Sequence, residues 1–327
     1  MKKVIGFDQE FDSILNQLLD NKLSNSLLLT GNKGIGKKYF ILQIIEEYIN
    51  KKVVSSQTQH HLSLLKNNSH PNIIIAEKEI DEKTKKLKNF IVIDQIRKIN
   101  QFCSETSIIE DIPKFILIDC ADDMNINASN ALLKILEEPK LISFFLISHQ
   151  PSSLLPTIKS RCLKINLPNH NYDNFSNIIE ISNNDINEET KKFLYDITNG
   201  SPGLINEYEF DEILNIFERL INLIEDKDPF SESNNDTIKF LSSLDNDQLK
   251  IFLSFIKFIL ITINKIKLGI NITKNYLSDS ILKIQTISDK ISSDIIQRKL
   301  DYLINNENDL FTFNLDKKIF MINFIAE

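Results

Sequence analysis

Apolar residues run along this chain in two rhythms, and the change from one to the other divides it. Up to about residue 168, short continuous apolar runs alternate with stretches of helical period. The runs are SLLLTG (26–31), NIIIAE (72–77), FIVID (90–94), KFILID (114–119), SFFLIS (143–148) and LKINL (163–167). Between them, KKYFILQIIEEYINKK (37–52) places apolar residues at 40, 41, 44, 45 and 48, the stripe of an amphipathic helix. Helices are also predicted at 94–104 and over NASNALLKILEE (127–138), the second stopped by Pro139. Runs that are apolar throughout suit strands buried on both faces, so the pattern predicts a parallel sheet between layers of helices.

After residue 168 the strand signals fade. Residues 169–208 predict a small helical unit ending in the break NGSPGL (199–204), and 209–327 predict helices interrupted by DKDPFSESNND (226–236). The expected division is therefore 1–168, 169–208 and 209–327. In the helix near 249–265, Lys250, Ser254, Lys257 and Asn264 form one narrow polar stripe and Leu, Ile and Phe fill the rest. Such a helix is buried on most sides, either inside its own bundle or with one face at an oligomer interface. Its most apolar segment, Ile251–Ile263, is well short of the roughly 20 apolar residues of a membrane span. The charge run EKEIDEKTKKLKN (77–89) reads as a solvated loop or hairpin.

Composition narrows the function classes. The net charge of -7 argues against a basic nucleic-acid module acting alone, so any such contact needs a local patch or partner subunits. Cys103, Cys120 and Cys162 are widely separated and form no C-x-x-C pair, which suits a reducing cytoplasm and argues against a disulfide framework. No signal peptide is expected at the start. Only 7 glycines occur, and Gly31, Gly34 and Gly36 are three of them. At average usage, about 23 would be expected. Their clustering points to a backbone that needs positive φ or a close approach.

That cluster is GNKGIGKK (31–38), which follows a strand and opens a helix. In this context G-x-x-x-x-G-K-[ST] is a phosphate-binding loop, whose backbone amides and lysine (here Lys37) hold phosphate. The last position should carry a hydroxyl for magnesium, and it is Lys38. Phosphate binding can survive that change, but metal-assisted hydrolysis should suffer. A second element is expected at a strand ending in acid, and FILIDCADDMN (115–125) supplies Asp119, on the metal side or simply as a strand-end carboxylate. The following residue is Cys120, a thiol that cannot activate water at neutral pH unless its pKa is lowered.

NASNALLKILEEP (127–139) and FFLISHQPSSLLPTIKSRC (144–162) closely resemble the AAA+ clamp-loader subunits of bacterial DNA polymerase III. The likeness starts near VIGFDQEFDSIL (4–15) and runs through NGSPG, about the first 205 residues. The altered nucleotide elements beside an intact Ser160–Arg161–Cys162 resemble the delta-prime branch of that family. The resemblance implies a P-loop AAA+ domain (1–168), a small helical lid (169–208) and an all-α collar (209–327). It implies that Arg161 acts in trans as an arginine finger on ATP held by a neighbouring subunit, with Cys162 packed behind it. It places Gly31, Gly34, Gly36, Lys37 and Asp119 at a degenerate nucleotide site that requires no cofactor but could hold nucleotide without hydrolysing it.

Ser148 lies where the family has a polar nucleotide-sensing residue, and Gly203 where its ATP-using members carry an arginine. Asn130 and Lys134 share one helix face, either approaching DNA phosphate or simply solvated. Residues 52–70 contain His60, His61 and His70 but none of the cysteines of the family's zinc module, so no metal site is expected. The implied partners are ATPase subunits and delta in a heteropentamer, with sliding clamp and primer–template DNA reached through the assembly, and no membrane. The rival is an active ATPase of the gamma or tau type, which would need Asp122 or Asp123 to replace the missing glutamate.

Overall fold

The computed structural model describes residues 4–81, 85, 87–107, 109, 112–138, 142–182, 186–205, 208, 210–226, 228–270 and 278–327. The chain forms two compact units, Met1–His170 and Asn171–Glu327. The first unit holds strands β1 (Ser26–Thr30), β2 (Ile73–Ala76), β3 (Lys114–Ile118), β4 (Ile142–Ser148) and β5 (Leu163–Asn166). They make one sheet of order β2-β3-β4-β1-β5, parallel at every pairing. Helices α1 (Asp8–Leu19), α2 (Lys37–Lys52), α3 (Ser55–Lys66), α4 (Ile93–Ser104), α5 (Ile126–Glu137) and α6 (Pro156–Lys159) complete it.

The runs of the inner strands β1, β3 and β4 are largely apolar because both faces are covered, as period-two geometry requires, whereas the edge strand β5 is mostly exposed. Leu27, Leu29, Phe115, Leu117, Phe145 and Ile147 share one core with Leu15 of α1, Phe40 and Ile44 of α2 and Leu65 of α3. The intervening Leu28, Ile116, Ile118, Phe144 and Leu146 face a second core with Ile96 and Ile99 of α4 and Leu132 of α5. Because all strands run one way, the segments after β1, β2, β3, β4 and β5 leave from one edge of the sheet. The segments that lead into strands arrive at the other. That division places the site.

Three local expectations change. FIVID is not a strand: Ile91 makes only a bridge to Met124, and Ile93 already opens α4. Gln95 turns its side chain back to accept from Val92 N–H at 3.1 Å and donates to Glu77 O at 2.7 Å, fixing a helix start where local β propensity favours a strand. Helix α3 was not anticipated from its polar sequence. The interruption at 226–236 is shorter than read, because Ser231 caps a helix that begins at Glu232. In the charge run, Ile80 and Leu87 form an antiparallel bridge, so a hairpin forms there. Pro139 lies outside the described residues.

The second unit contains α7 (Tyr172–Ser182), α8 (Glu188–Thr198), α9 (Phe210–Glu225), α10 (Glu232–Ser243), α11 (Asn246–Lys267), α12 (Ser278–Lys290), α13 (Ser293–Thr312) and α14 (Lys317–Ala326). One core runs from Phe175 of α7 to Ile325 of α14. Helix α11 packs against α8, α9, α10, α12 and α13, so its all-round apolarity is answered by its own bundle. Lys299, 2% exposed, donates to Phe324 O at 2.8 Å and Ile325 O at 2.9 Å, covering two carbonyls at the end of α14. Among the described residues, no helix is long and apolar enough to cross a membrane.

Candidate functional site

The glycine loop leaves β1 at the edge where all the strands end, and its conformation explains its glycines. Gly31, Gly34 and Gly36 have φ of 144°, 84° and 90°. At Gly31 a Cβ would also lie 2.4 Å from Leu167 O, so only glycine lets the loop pass the backbone after β5. His170, itself buried, holds the loop from the same side through Nε2, 3.0 Å from Ile35 O.

Lys37 is 3% exposed and donates to Gly31 O and Asn32 O, both at 2.7 Å, so it ties the loop to itself. Burial lowers its pKa to about 8, against the opposing charges of the nearby carboxylates of Asp122 and Asp119. Lys38, one residue on, turns to the strand ends. Its Nζ lies 3.1 Å from Asp119 Oδ2 and bonds Glu77 Oε2. Burial lowers its pKa, but the hydrogen bond to Glu77 and the charges of Asp119 and Glu77 outweigh it, and the net shift is upward. Glu77 follows β2 and Asp119 follows β3, two paired strands.

A magnesium ion of the P-loop type needs a hydroxyl after the loop lysine and the strand-end aspartate. Here an ammonium stands at the first position and bonds the second. The residues present do not fit the metal.

Cys120 occupies left-handed backbone at φ 66°. Its thiol is held protonated by burial first, then by the carboxylates of Asp123 and Asp122, so it offers no base. Asp122 accepts from Ser148 Oγ at 2.7 Å, His149 N–H at 2.5 Å, Gln150 N–H at 3.1 Å and Ser153 Oγ at 3.2 Å. Its carboxylate is thus committed to the turn after β4, and Ser148 to Asp122. Asp123 pairs with Lys78 at 3.3 Å. These uses of Glu77 and Asp122 were not legible in the sequence, because each joins segments from different strands.

Arg161 does not join this group. It stands two residues before β5, at the edge where strands begin, and donates to Glu137 Oε1 at 2.6 Å and Thr157 O at 2.9 Å. Ser160 Oγ donates to Thr157 O at 3.1 Å. Cys162 packs against the α4–α5 core, and burial raises its pKa to about 11, so it is a packing group rather than a nucleophile.

Asn130 and Lys134 are both exposed on α5. His61 and His70 form a buried pair instead of a metal site. Asn72 N–H donates to His70 Nδ1 at 3.2 Å, which leaves Nε2–H of a neutral His70 to donate to His61 Nδ1 at 3.2 Å. Among the described residues, no group of three or more His, Cys, Asp or Glu side chains could hold a metal ion.

A parallel sheet whose first strand runs through a glycine loop into a helix, with the carboxylate that follows β3 beside that helix, defines an α/β fold of the P-loop type. The sequence model of the family described as DNA polymerase III, delta subunit, matches residues 8–171 of the 327, and the chain belongs to that family. DNA polymerase III subunit delta-prime of Pseudomonas aeruginosa is 37% identical over 145 residues, covering 43% of this chain and 42% of that protein. The Bacillus subtilis subunit delta-prime is 30% identical over 152 residues, covering 46% and 44%. The chain thus spans under half the length of these two relatives. A solved gamma subunit-related protein of Thermotoga maritima aligns over 96% of this chain and 97% of its own, at 17% identity and a TM-score of 0.41.

Proposed function

We propose that the chain serves as a delta-prime-like stator of a DNA polymerase III clamp loader. It does not hydrolyse ATP, and it presents Arg161 to ATP held by a neighbouring subunit while a sliding clamp is loaded onto primed DNA. The observation that carries this reading is the separation of Arg161 from the chain's own loop. The loop stands where strands end and Arg161 where they begin, so the guanidinium serves a phosphate outside its own chain or none.

The loop's own state supports the same reading. Lys38 fills the metal's place, Cys120 is no base, and Asp122 is engaged by the turn after β4. A guanidinium suits the trans role because it stays charged and offers a planar fork of donors to phosphate. In well-studied NTPases, an arginine finger contributes about 10³–10⁵ in rate. Helices α7 and α8 would then be the lid and α9–α14 the collar that joins ATPase subunits and delta in a pentamer. Such a subunit needs no cofactor of its own and works in the cytoplasm.

The test is DNA- and clamp-stimulated ATPase turnover of the reconstituted loader, wild type against Arg161→Ala, with the isolated chain as control and assembly of the variant verified. Turnover that collapses in the assembly and is absent from the isolated chain is the expected result. An unchanged rate removes the finger role, and turnover by the isolated chain removes the stator role.

A further inference from the structure

Two carboxylates meet at the edge of the sheet where the loop lies. Ala76 pairs with Ile118 in the register of β2 and β3, so the next residues of each strand, Glu77 and Asp119, emerge side by side. In a chain that binds metal here, such acidic groups and a hydroxyl from the first turn of the helix would converge on one divalent ion. In this chain the first turn of α2 sends an ammonium between them instead, 3.1 Å from Asp119 and bonded to Glu77.

The geometry points to Lys38 as the resident cation of this site: it occupies the place between Asp119 and Glu77 that a divalent metal would need, so the wild-type chain takes up no such ion there. A metal ion on Asp119 would have to break that ion pair and then lie against a like charge. Opposite charge from both carboxylates keeps the ammonium protonated despite its partial burial. The neighbouring cations do not free the site either, because Lys37 is turned to the loop carbonyls and Lys78 to Asp123. The converse follows: removing the ammonium while restoring a hydroxyl leaves two adjacent carboxylates and an oxygen donor, the hard ligand set that divalent ions prefer.

This inference deepens the non-hydrolysing reading of the loop and rests on it. Its test involves neither Arg161 nor any partner subunit, so the two can fail separately. The experiment is Mn²⁺ titration of the full chain, followed by the electron paramagnetic resonance signal of the free ion. Wild type and Asp119→Asn should deplete that signal equally. Lys38→Ser should gain roughly one bound ion per chain, and the double variant Lys38→Ser/Asp119→Asn should lose it again.

A wild-type site that Asp119→Asn abolishes would overturn the inference, as would a folded Lys38→Ser that binds no more than wild type. A second measurement needs no variant: amide resonances of Lys38, Glu77 and Asp119 in the wild-type chain should stay sharp at Mn²⁺ concentrations that broaden exposed acidic positions. Selective broadening of those three would refute it.

Discussion

Ser148 donates its hydroxyl to Asp122 at 2.7 Å, and this bond locks the end of β4 to the turn after β3. Two backbone amides and a second hydroxyl converge on the same carboxylate. Asp122→Asn keeps the shape but sets an amide group against donors. The expected cost is about 2–3 kcal/mol, the weight of hydrogen bonds to a charged group left unmade. A lower urea midpoint for the first unit is the readout, and an unchanged midpoint would contradict the locking role.

Arg161 and Glu137 form a different kind of pair, with side chains 33% and 55% exposed. Exposed pairs contribute little, so Glu137→Ala should alter stability by less than about 1 kcal/mol. It should also leave turnover of a reconstituted loader nearly intact. Arg161→Lys should lose most of it, because lysine keeps the charge but not the fork. Comparing the two variants in one assay separates a guanidinium that acts on phosphate from one that merely binds Glu137.

His70 links stability to pH. Burial, and then the charges of His61 and His60, lower its pKa from 6.5 to about 4. The folded chain therefore disfavours the protonated ring. This contribution is fully present above the unfolded pKa near 6.5 and is lost as pH falls through 4, amounting to about 3 kcal/mol at most. Burial also lowers the pKa of His170, opposed by its bond to Ile35 O, so its sign is the same. Urea midpoints at pH 7.5, 6 and 5 should decline, and His70→Gln should flatten the decline. A profile that is level in wild type would refute the assignment.

The loop glycines are not equivalent. A Cβ at Gly31 would lie 2.4 Å from Leu167 O, a backbone atom that cannot rotate away, whereas one at Gly36 would meet nothing within 4 Å. Gly36→Ala should cost only the strain of left-handed backbone, about 1–2 kcal/mol. Gly31→Ala should cost clearly more. Thermal unfolding of the two variants side by side checks the order, and equal losses would show that the loop can shift away from β5.

What was legible in the sequence followed from repetition. Strands β1 to β4 were readable because each carries apolar residues on both faces, and α2 because its stripe is regular. FIVID has the same local chemistry as a true strand, and only the reach of Gln95 to Val92 and Glu77 turns it into a helix start. Helix α3 escaped notice because few of its side chains are buried; Leu65 is one. The glycine loop and the substitution at Lys38 were evident at once. The partner Glu77 was not, since 39 residues separate it from Lys38 and only strand pairing brings it near. Adjacent Asp122 and Asp123 looked interchangeable in one dimension, yet they serve different segments in three.

The parallel sheet also gives the chain a polarity. Its loop and Arg161 lie at opposite ends of strands such as β1, whose five residues span ~17 Å. Contacts that match one end of a molecule to the other end of the next are heterologous, and they build rows with a direction. An interior member of such a row must receive at one end and give at the other. Under the proposed function this chain gives at the end that carries Arg161, while at its loop end Lys38 stands in the metal's place. On that reading the molecule is a terminus: it begins a row of hydrolysing sites instead of standing as a link within one.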